Sequence, residues 1–372
     1  MRKNILITGG AGFIGSHVAD ALLSHGYRVR VLDSLSPQVH GPDAGRPSYL
    51  DPEVELMAGD VRDPQALREA LEGVDAVFHL AAKVGVGQSM YEIVDYTAVN
   101  NEGTARLLEA LIQQPVERLV VASSMSIYGE GLYQDRQGQM VPGELRPLGQ
   151  LRRRAWELQN EDGGDLLPVP TPETKPPALA SIYALSKYDQ ERMCLLTGRA
   201  YKMPTVALRF FNVYGPRQAL SNPYTGVLAN FASRLLNDRP PLIFEDGHQQ
   251  RDFVSVHDVA QACRLALEVP EAAYAVFNIG SGSQFTIREI ATRVAAVLDR
   301  DYIKPITTHK YRVGDIRHCF ADISRAQQVL GYEPQVTLKD GLTELAEWLQ
   351  GRMVEDRAWE ASAELDLRGL TV

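Results

Sequence analysis

The chain of 372 residues is poor in cysteine, with only Cys194, Cys263 and Cys319, far apart and odd in number. They match no metal-ligand spacing and no disulfide framework, so neither a metal site nor a cystine-stapled fold is expected, and a reducing cytoplasm suits them. No apolar run approaches the roughly 20 residues of a membrane helix. The first segment, Met1 to Gly10, shows no cleavage signal; its apolar residues read as a strand that ends in glycines. Basic charge is also scarce: 38 Lys and Arg stand against 47 Asp and Glu, a formal net charge of −9. That argues against nucleic acid as a partner while leaving room for a local basic pocket that takes phosphates. Internal repeats and low-complexity linkers are missing too. What remains, 45% hydrophobic and 23% charged, is near the globular average. At about 150 residues per domain, the length implies two to three units, or one large domain with an attachment.

Asn4 to Thr8 reads as a buried parallel strand. Gly9-Gly10-Ala11-Gly12-Phe13-Ile14-Gly15 follows, and Ser16 to His25 then has helical periodicity through Val18, Ala19, Leu22 and Leu23. The glycines fit a tight turn, a backbone that approaches a pyrophosphate, and close packing of helix on strand. The helix N-terminus points its unpaired N–H groups at the phosphates. A second strand, Tyr27 to Leu32, ends in Asp33, where a ribose diol would be gripped, favouring NAD over its 2′-phosphorylated form. Strands at Val54–Ala58, Ala76–Leu80 and Arg118–Ala122 alternate with helices at Pro64–Leu71 and Thr97–Gln113. This is the pattern of right-handed βαβ crossovers and an α/β fold with helices on both faces of a parallel sheet. Asp60, Ala81, Ser123 and Ser124, at strand ends, should line the ligand crevice. Two readings of Asp60 stay open, an adenine partner or a turn residue ahead of Pro64.

Tyr183 and Lys187, four apart on a helix, share a face. A nearby ammonium favours the phenolate and should bring the tyrosine pKa down from about 10. Such a group takes a proton from a sugar hydroxyl while hydride leaves the same carbon, and a serine hydroxyl can hold the substrate oxygen.

The chain resembles the extended short-chain dehydrogenase/reductase family, in its NAD-dependent sugar-nucleotide epimerase/dehydratase branch. The matching motifs run in order: Thr8-Gly-Gly-Ala-Gly-Phe-Ile-Gly15, Asp60-Val61-Arg62-Asp63, His79-Leu-Ala-Ala82, Asn100-Asn-Glu-Gly-Thr104, Ser123-Ser124 with Ile127-Tyr128-Gly129, and Tyr183-x-x-x-Lys187. They continue through Arg209-Phe-Phe-Asn-Val-Tyr-Gly-Pro-Arg217, Arg251-Asp252-Phe253, Asn278-Ile-Gly280, Gly314-Asp315 and Leu330-Gly-Tyr-Glu-Pro334. The resemblance implies a Rossmann-like domain (1–130 and 178–205) and a smaller α/β part (mainly 206–350) for a nucleoside-diphosphate sugar, dTDP- or UDP-linked. It implies Ser124, Tyr183 and Lys187 as a catalytic triad. For NAD it implies Gly9, Gly12, Phe13, Ile14, Gly15, Asp33, Asp60, Val61, Leu80, Ala81, Ala82, Asn100 and Ser123, together with Tyr183 and Lys187. For the substrate it implies Ser124, Asn212, Arg217, Arg251 and Arg312. A homodimer through the helices at Thr97–Gln113 and Tyr183–Ala200 is expected by analogy.

Family members that eliminate water commonly carry an acidic pair after the catalytic Ser/Thr, and decarboxylating members a glutamate; here Met125 and Ser126 stand there. Elimination needs an acid and a base beyond the tyrosine. Inversion at C4 through a transient ketone needs only the triad, so C4 epimerisation is the expected reaction. A 4,6-dehydratase, a decarboxylase and a dehydrogenase that releases a keto product are the alternatives. A non-catalytic dinucleotide sensor would commonly have lost the Tyr/Lys pair, which is intact.

Two segments depart from the pattern. Tyr183 follows Ser124 by 59 positions, against about 25 in the family, so about 34 residues are extra, within 131–177. This insert, with helical propensity at Leu151–Leu158 and an Arg152-Arg-Arg154 run, reads as a lid or interface, or as a surface elaboration. The tail, 351–372, with Leu365, Leu367 and Leu370, reads as a docking helix or a frayed end. Insert and tail together are similar to a subgroup that includes dTDP-L-rhamnose 4-epimerases; UDP-glucose, UDP-N-acetylglucosamine and UDP-glucuronate stay open as substrates.

Overall fold

A computed structural model describes residues 2–41, 45–219, 226–350, 356 and 358–371. Seven parallel strands form its central sheet: β1 (Asn4–Thr8), β2 (Arg28–Asp33), β3 (Glu55–Ala58), β4 (Ala76–His79), β5 (Arg118–Ser124), β6 (Thr205–Phe210) and β7 (Val276–Ile279), in the order β7-β6-β5-β4-β1-β2-β3. Strand order reverses at β1, which pairs with β2 on one side (Ile5 opposite Val29) and β4 on the other (Ile5 opposite Ala76). Such a reversal opens a crevice beyond the carboxyl ends of the strands.

Both faces of the sheet are covered, which is why β1 is an unbroken apolar run. Ile5 and Ile7 point into one core with Val31, Phe78, Val120 and Leu208, closed by α1 (Phe13–Ser24) and the helix Val256–Glu268. Leu6 points into the other, with Leu32, Val77, Val121 and Ala207. That core is closed by α2 (Pro64–Leu71), α3 (Gly103–Gln113) and α4 (Ile182–Ala200). The period of two along the strand sorts the side chains between the cores. A third core, around Phe231, Ile290, Val294, Leu342 and Leu345, belongs to the helices of the C-terminal half.

The chain re-enters the sheet at β6 and β7, so residues 206–350 are not confined to a substrate part. The helix expected over Thr97–Gln113 begins as a π-helical turn, Thr97–Glu102, before α3. The insert is not structureless: Met140–Pro142, Leu132–Gln134 and Leu167–Val169 make an antiparallel three-stranded sheet. Its helix spans Leu148–Arg152 rather than Leu151–Leu158, because Trp156 and Leu158 leave the helix path for two small apolar clusters. Arg152, Arg153 and Arg154 are exposed, a solvated charge run. The tail folds back as the helix Ala358–Leu367. No helix among the described residues is long and apolar enough to cross a membrane.

Candidate active site

A cleft of about 950 Å³ runs across the carboxyl ends of the strands. At one end the glycine loop leaves β1. Gly9 sits at φ +71°, and a β-carbon there would lie 2.8 Å from the backbone of Ala81; one on Gly15 would lie 2.5 Å from Gly10 Cα and from Gly9 O. Only glycine lets the loop fold this tightly while Gly12, Phe13 and Ile14 line the cleft at the start of α1. Asp33 ends β2, its carboxylate accepting from Ala11 N (3.0 Å) and Leu35 N (2.9 Å). Each oxygen keeps a further lone pair for a diol. Asp60 lines the cleft with Val61, but its carboxylate is held by Arg62 through Nε (3.0 Å) and Nη2 (2.7 Å), and Arg62 N also donates to it. This pairing lowers the Asp60 pKa. Leu80, Ala81 and Ala82 form the cleft floor after β4. This cradle fits a dinucleotide: backbone and one diol-binding carboxylate where phosphates and ribose need them.

The middle of the cleft holds Ser124, Tyr183 and Lys187. Ser124, the last residue of β5, starts a 3₁₀ turn and takes hydrogen bonds from Ser126 N (3.1 Å) and Ser126 Oγ (2.9 Å). Across from it, α4 is capped by Ser181, and Ser89 Oγ accepts from Tyr183 N at 3.0 Å. The Tyr183 hydroxyl is hydrogen-bonded with Ser124. Lys187 is buried one turn on, its Nζ donating to Gln190 Oε1 at 2.6 Å. The expected depression of the Tyr183 pKa is not what this arrangement gives. Burial raises it, with the Ser124 hydrogen bond pulling the other way. Burial also brings Lys187 down to about 8.

Gln190 escaped the sequence reading, though its place at i+7 from Tyr183 and i+3 from Lys187 was the available signal. It donates to Thr104 Oγ1 (2.8 Å), which meets His79 Nε2 (2.8 Å), and His79 Nδ1 meets Thr8 Oγ1 (2.8 Å). Burial, with Lys187 nearby, takes His79 to about 3, so a neutral ring ties β1, β4, α3 and α4 behind the site.

Three residues that the resemblance assigns to ligands have their polar groups bonded within the protein. Asn100 does not reach the cleft: its amide is consumed by Lys83 N (2.8 Å), Lys83 O (3.1 Å) and Ser186 Oγ (2.9 Å), fixing the segment after Ala82 from the π-helical turn. Ser123 lies in the cleft wall, but its hydroxyl donates to buried Glu191 at 2.6 Å, which also pairs with Arg209 at 2.7 Å. Arg217 sits behind α1, paired with Asp20 at 2.7 Å and stacked over Tyr49 at 5.5 Å, in a groove separate from the cleft. The turn after Tyr214 carries it there, and Asp20 neutralises it.

The far end of the cleft gathers Asn212, Arg251 and Arg312. Asn212 Oδ1 is buried with no hydrogen-bond partner among the described residues. Arg251 donates to the carbonyls of Gln250 (2.8 Å), Arg317 (2.9 Å) and Ile316 (2.5 Å). Arg312 forks onto Asp315 (2.8 Å) and lies over the Phe244 ring at 5.3 Å. None of residues 131–177 lines the cleft. The insert docks instead on the C-terminal half through a buried charge cluster. Arg146 pairs with Glu245 at 2.8 Å, and Arg317 meets Glu245 at 2.9 Å, Asp246 at 2.6 Å and Glu157. Among the described residues no group of three metal-ligating side chains forms.

A Rossmann-type sheet with a glycine cradle at its reversal point and a Ser/Tyr/Lys set across from it defines a dinucleotide-dependent enzyme of the short-chain type. The family model described as "NAD dependent epimerase/dehydratase family" matches residues 5–149 and 163–280, and the chain belongs to that family. It is 38% identical over 352 residues to the dTDP-L-rhamnose 4-epimerase of Burkholderia thailandensis, covering 93% of this chain and 95% of that one. It superposes on the UDP-glucose 4-epimerase of Thermotoga maritima with UDP-glucose at a TM-score of 0.76 and 32% identity, over 93% and 98% of the two chains. The UDP-glucose 4-epimerase of Thermus thermophilus in complex with NAD matches at a TM-score of 0.73 and 31% identity, over 94% and 100%.

Proposed function

We propose that this protein inverts C4 of a nucleoside-diphosphate sugar through a transient 4-keto sugar, with dTDP-L-rhamnose or a related dTDP- or UDP-hexose as substrate. One observation carries the reaction type: Ser124, Tyr183 and Lys187 converge where, among the described residues, no carboxylate is free. The cleft-lining carboxylates are Asp33, Asp60, Asp95 and Asp315. Asp33 accepts from backbone amides, and the other three are paired with Arg62, Lys83 and Arg312. Dehydration or decarboxylation would need a further acid or base beside the ring, whereas inversion does not.

Bound NAD supplies a hydride acceptor that is regenerated within one turnover. Ser124 Oγ and the ionised Tyr183 oxygen hold the oxygen on C4, and that phenolate takes its proton as the ketone forms, becoming the phenol. Lys187, fixed by Gln190, keeps a cation beside that phenolate. The ketone then presents its other face, and Tyr183 returns the proton to the oxygen. Asn212, Arg251 and Arg312 hold the diphosphate end while the sugar turns. The dTDP-L-rhamnose preference rests on the likeness to the Burkholderia thailandensis enzyme. A homodimer through α3 and α4 belongs to the same reading, since α4 leaves Leu185 and Leu196 exposed.

The test is incubation with dTDP- and UDP-sugars and NAD⁺ alone, followed by product mass and chromatography. A new peak of unchanged mass without net NADH is the expected result. Loss of water or carbon dioxide, or accumulating NADH, would replace the reading with the corresponding branch.

A further inference from the structure

The C-terminal helix Ala358–Leu367 lies partly at the surface, with Trp359 and Leu367 64% and 88% exposed. Its other face is not at the surface. Leu365 is 3% and Ala361 8% exposed, and both line the cleft together with Ser362. The Leu365 methyls lie 3.4 and 3.6 Å from where a β-carbon on Gly87 would be. Gly87 is two residues before Ser89, whose hydroxyl takes the Tyr183 N–H. Leu365 therefore stands at the sugar end of the cleft, beside the segment that seats the tyrosine. Beyond the helix, Leu370 O accepts from Val313 N (2.9 Å), Thr371 bridges Arg312, and Asp366 pairs with Lys310 (2.8 Å). The Arg368 guanidinium lies over the Tyr91 ring at 4.1 Å. The tail thus ties the wall at 87–91 to the loop that presents Arg312.

The wall carries the apolar residues Val86, Gly87, Ala361 and Leu365, with Ser362 and Gln88 as polar neighbours, the Gln88 amide bonded to Gln38, Glu92 and Tyr96. The described Lys and Arg side chains that line the cleft are all engaged. Lys83 is held by Glu92 and Asp95, Arg62 by Asp60, Arg312 by Asp315, Lys187 by Gln190, and Arg251 by carbonyls. A carboxylate on the sugar placed against Val86, Ala361 and Leu365 would lose its water to an apolar surface, and a hydroxyl would lose hydrogen bonds to water.

We propose that the C-terminal helix is a specificity element and that Leu365 and Ala361 select a sugar with an apolar substituent on C5, a 6-deoxyhexose, over its 6-hydroxy and 6-carboxylate counterparts. This rests on the nucleotide-sugar epimerase reading. The test compares kcat/KM for three nucleotide sugars that share base and ring configuration and differ only at C6 as methyl, hydroxymethyl or carboxylate. The comparison is made in the wild type, Leu365→Asn and Leu365→Met, with bound NAD and Tm measured alongside. The wild type should favour the methyl sugar over the hydroxymethyl sugar by roughly 10- to 100-fold and leave the carboxylate unturned. Leu365→Asn should reduce the methyl preference about tenfold with NAD retained, and Leu365→Met should keep it. Should Leu365→Asn not fold, Ala361→Ser places a hydroxyl on the same wall and should lower the ratio a few-fold. A wild type that epimerises these sugars but prefers hydroxymethyl or carboxylate overturns the inference, as does an unchanged ratio in the folded variants. A wild type that epimerises no nucleotide sugar at all refutes the epimerase reading instead.

Discussion

The two ends of the cleft are built from different material. The dinucleotide end is largely backbone, the glycine loop after β1 packed against residues 80–82, where added atoms are the hazard: a β-carbon on Gly15 would lie 2.5 Å from Gly10 Cα. The end proposed for the nucleotide sugar is side chains from distant segments, Asn212, Arg251, Arg312 and Leu365, with Arg251 steadied by the carbonyl of Arg317 and Arg312 by Asp315. A site of the first kind fails on overpacking, whereas a site of the second kind loses affinity by degrees as single side chains are trimmed.

The largest effect should come at the joint between the two ends. Tyr183→Phe removes the proton acceptor and nothing the cofactor stands on, so turnover should fall about 10²- to 10⁴-fold with NAD still bound after purification. Near-wild-type kcat would dissolve the catalytic set. Next comes Gly15→Ala, which forces a methyl into the loop turn; overpacking of this order weakens NAD retention by roughly 10- to 100-fold. The cofactor content of the purified variant reads it, and full occupancy would mean that the cradle is looser than its geometry.

At the other end, Arg312→Ala should leave NAD content unchanged and raise KM for the sugar nucleotide roughly tenfold or more, the worth of a charge-assisted hydrogen bond. If NAD is lost instead, the separation of the two ends fails. Arg217→Ala is the companion control: its guanidinium is spent on Asp20 behind α1, so KM should not move.

The same contrast decides what the sequence reveals. The glycine loop, Asp33 and the Tyr183/Lys187 pair are local patterns, and a spacing of three or four residues implies proximity once the helix is recognised. Gln190 continues that helix face and was within reach of the same logic. Arg217 and Arg251 look alike as motif arginines; only the fold shows that one meets Asp20 and the other the carbonyls of residues 316 and 317. Asn100 misleads for a similar reason, since its partners Lys83 and Ser186 come together only when the π-helical turn packs on α4. The insert and tail are the least legible, because their meaning lies wholly in what they dock against.

The insert offers the smallest effect and the sharpest test of that docking. Glu157, midway along it, accepts from His318 at 2.8 Å and pairs with Arg317. Burial works to raise its pKa, but those hydrogen bonds prevail and hold it at about 2, below its ordinary 4.5. A carboxyl lowered on folding stabilises the folded state fully above its unfolded pKa, and loses that contribution as pH falls through the folded value. The latch should therefore be complete above about pH 4.5 and weaken from there towards pH 2. Glu157→Gln cannot ionise, so its Tm should lie below the wild type's by a few degrees at neutral pH, as about 1 kcal/mol shifts the Tm of a large domain. The gap should narrow as both proteins are melted at pH values descending from 4.5, because the wild-type carboxyl is then neutralised too. A gap that stays constant down to pH 2.5 would show that the charge of Glu157 does not hold the insert, leaving its apolar clusters around Tyr133 and Trp156 to do so.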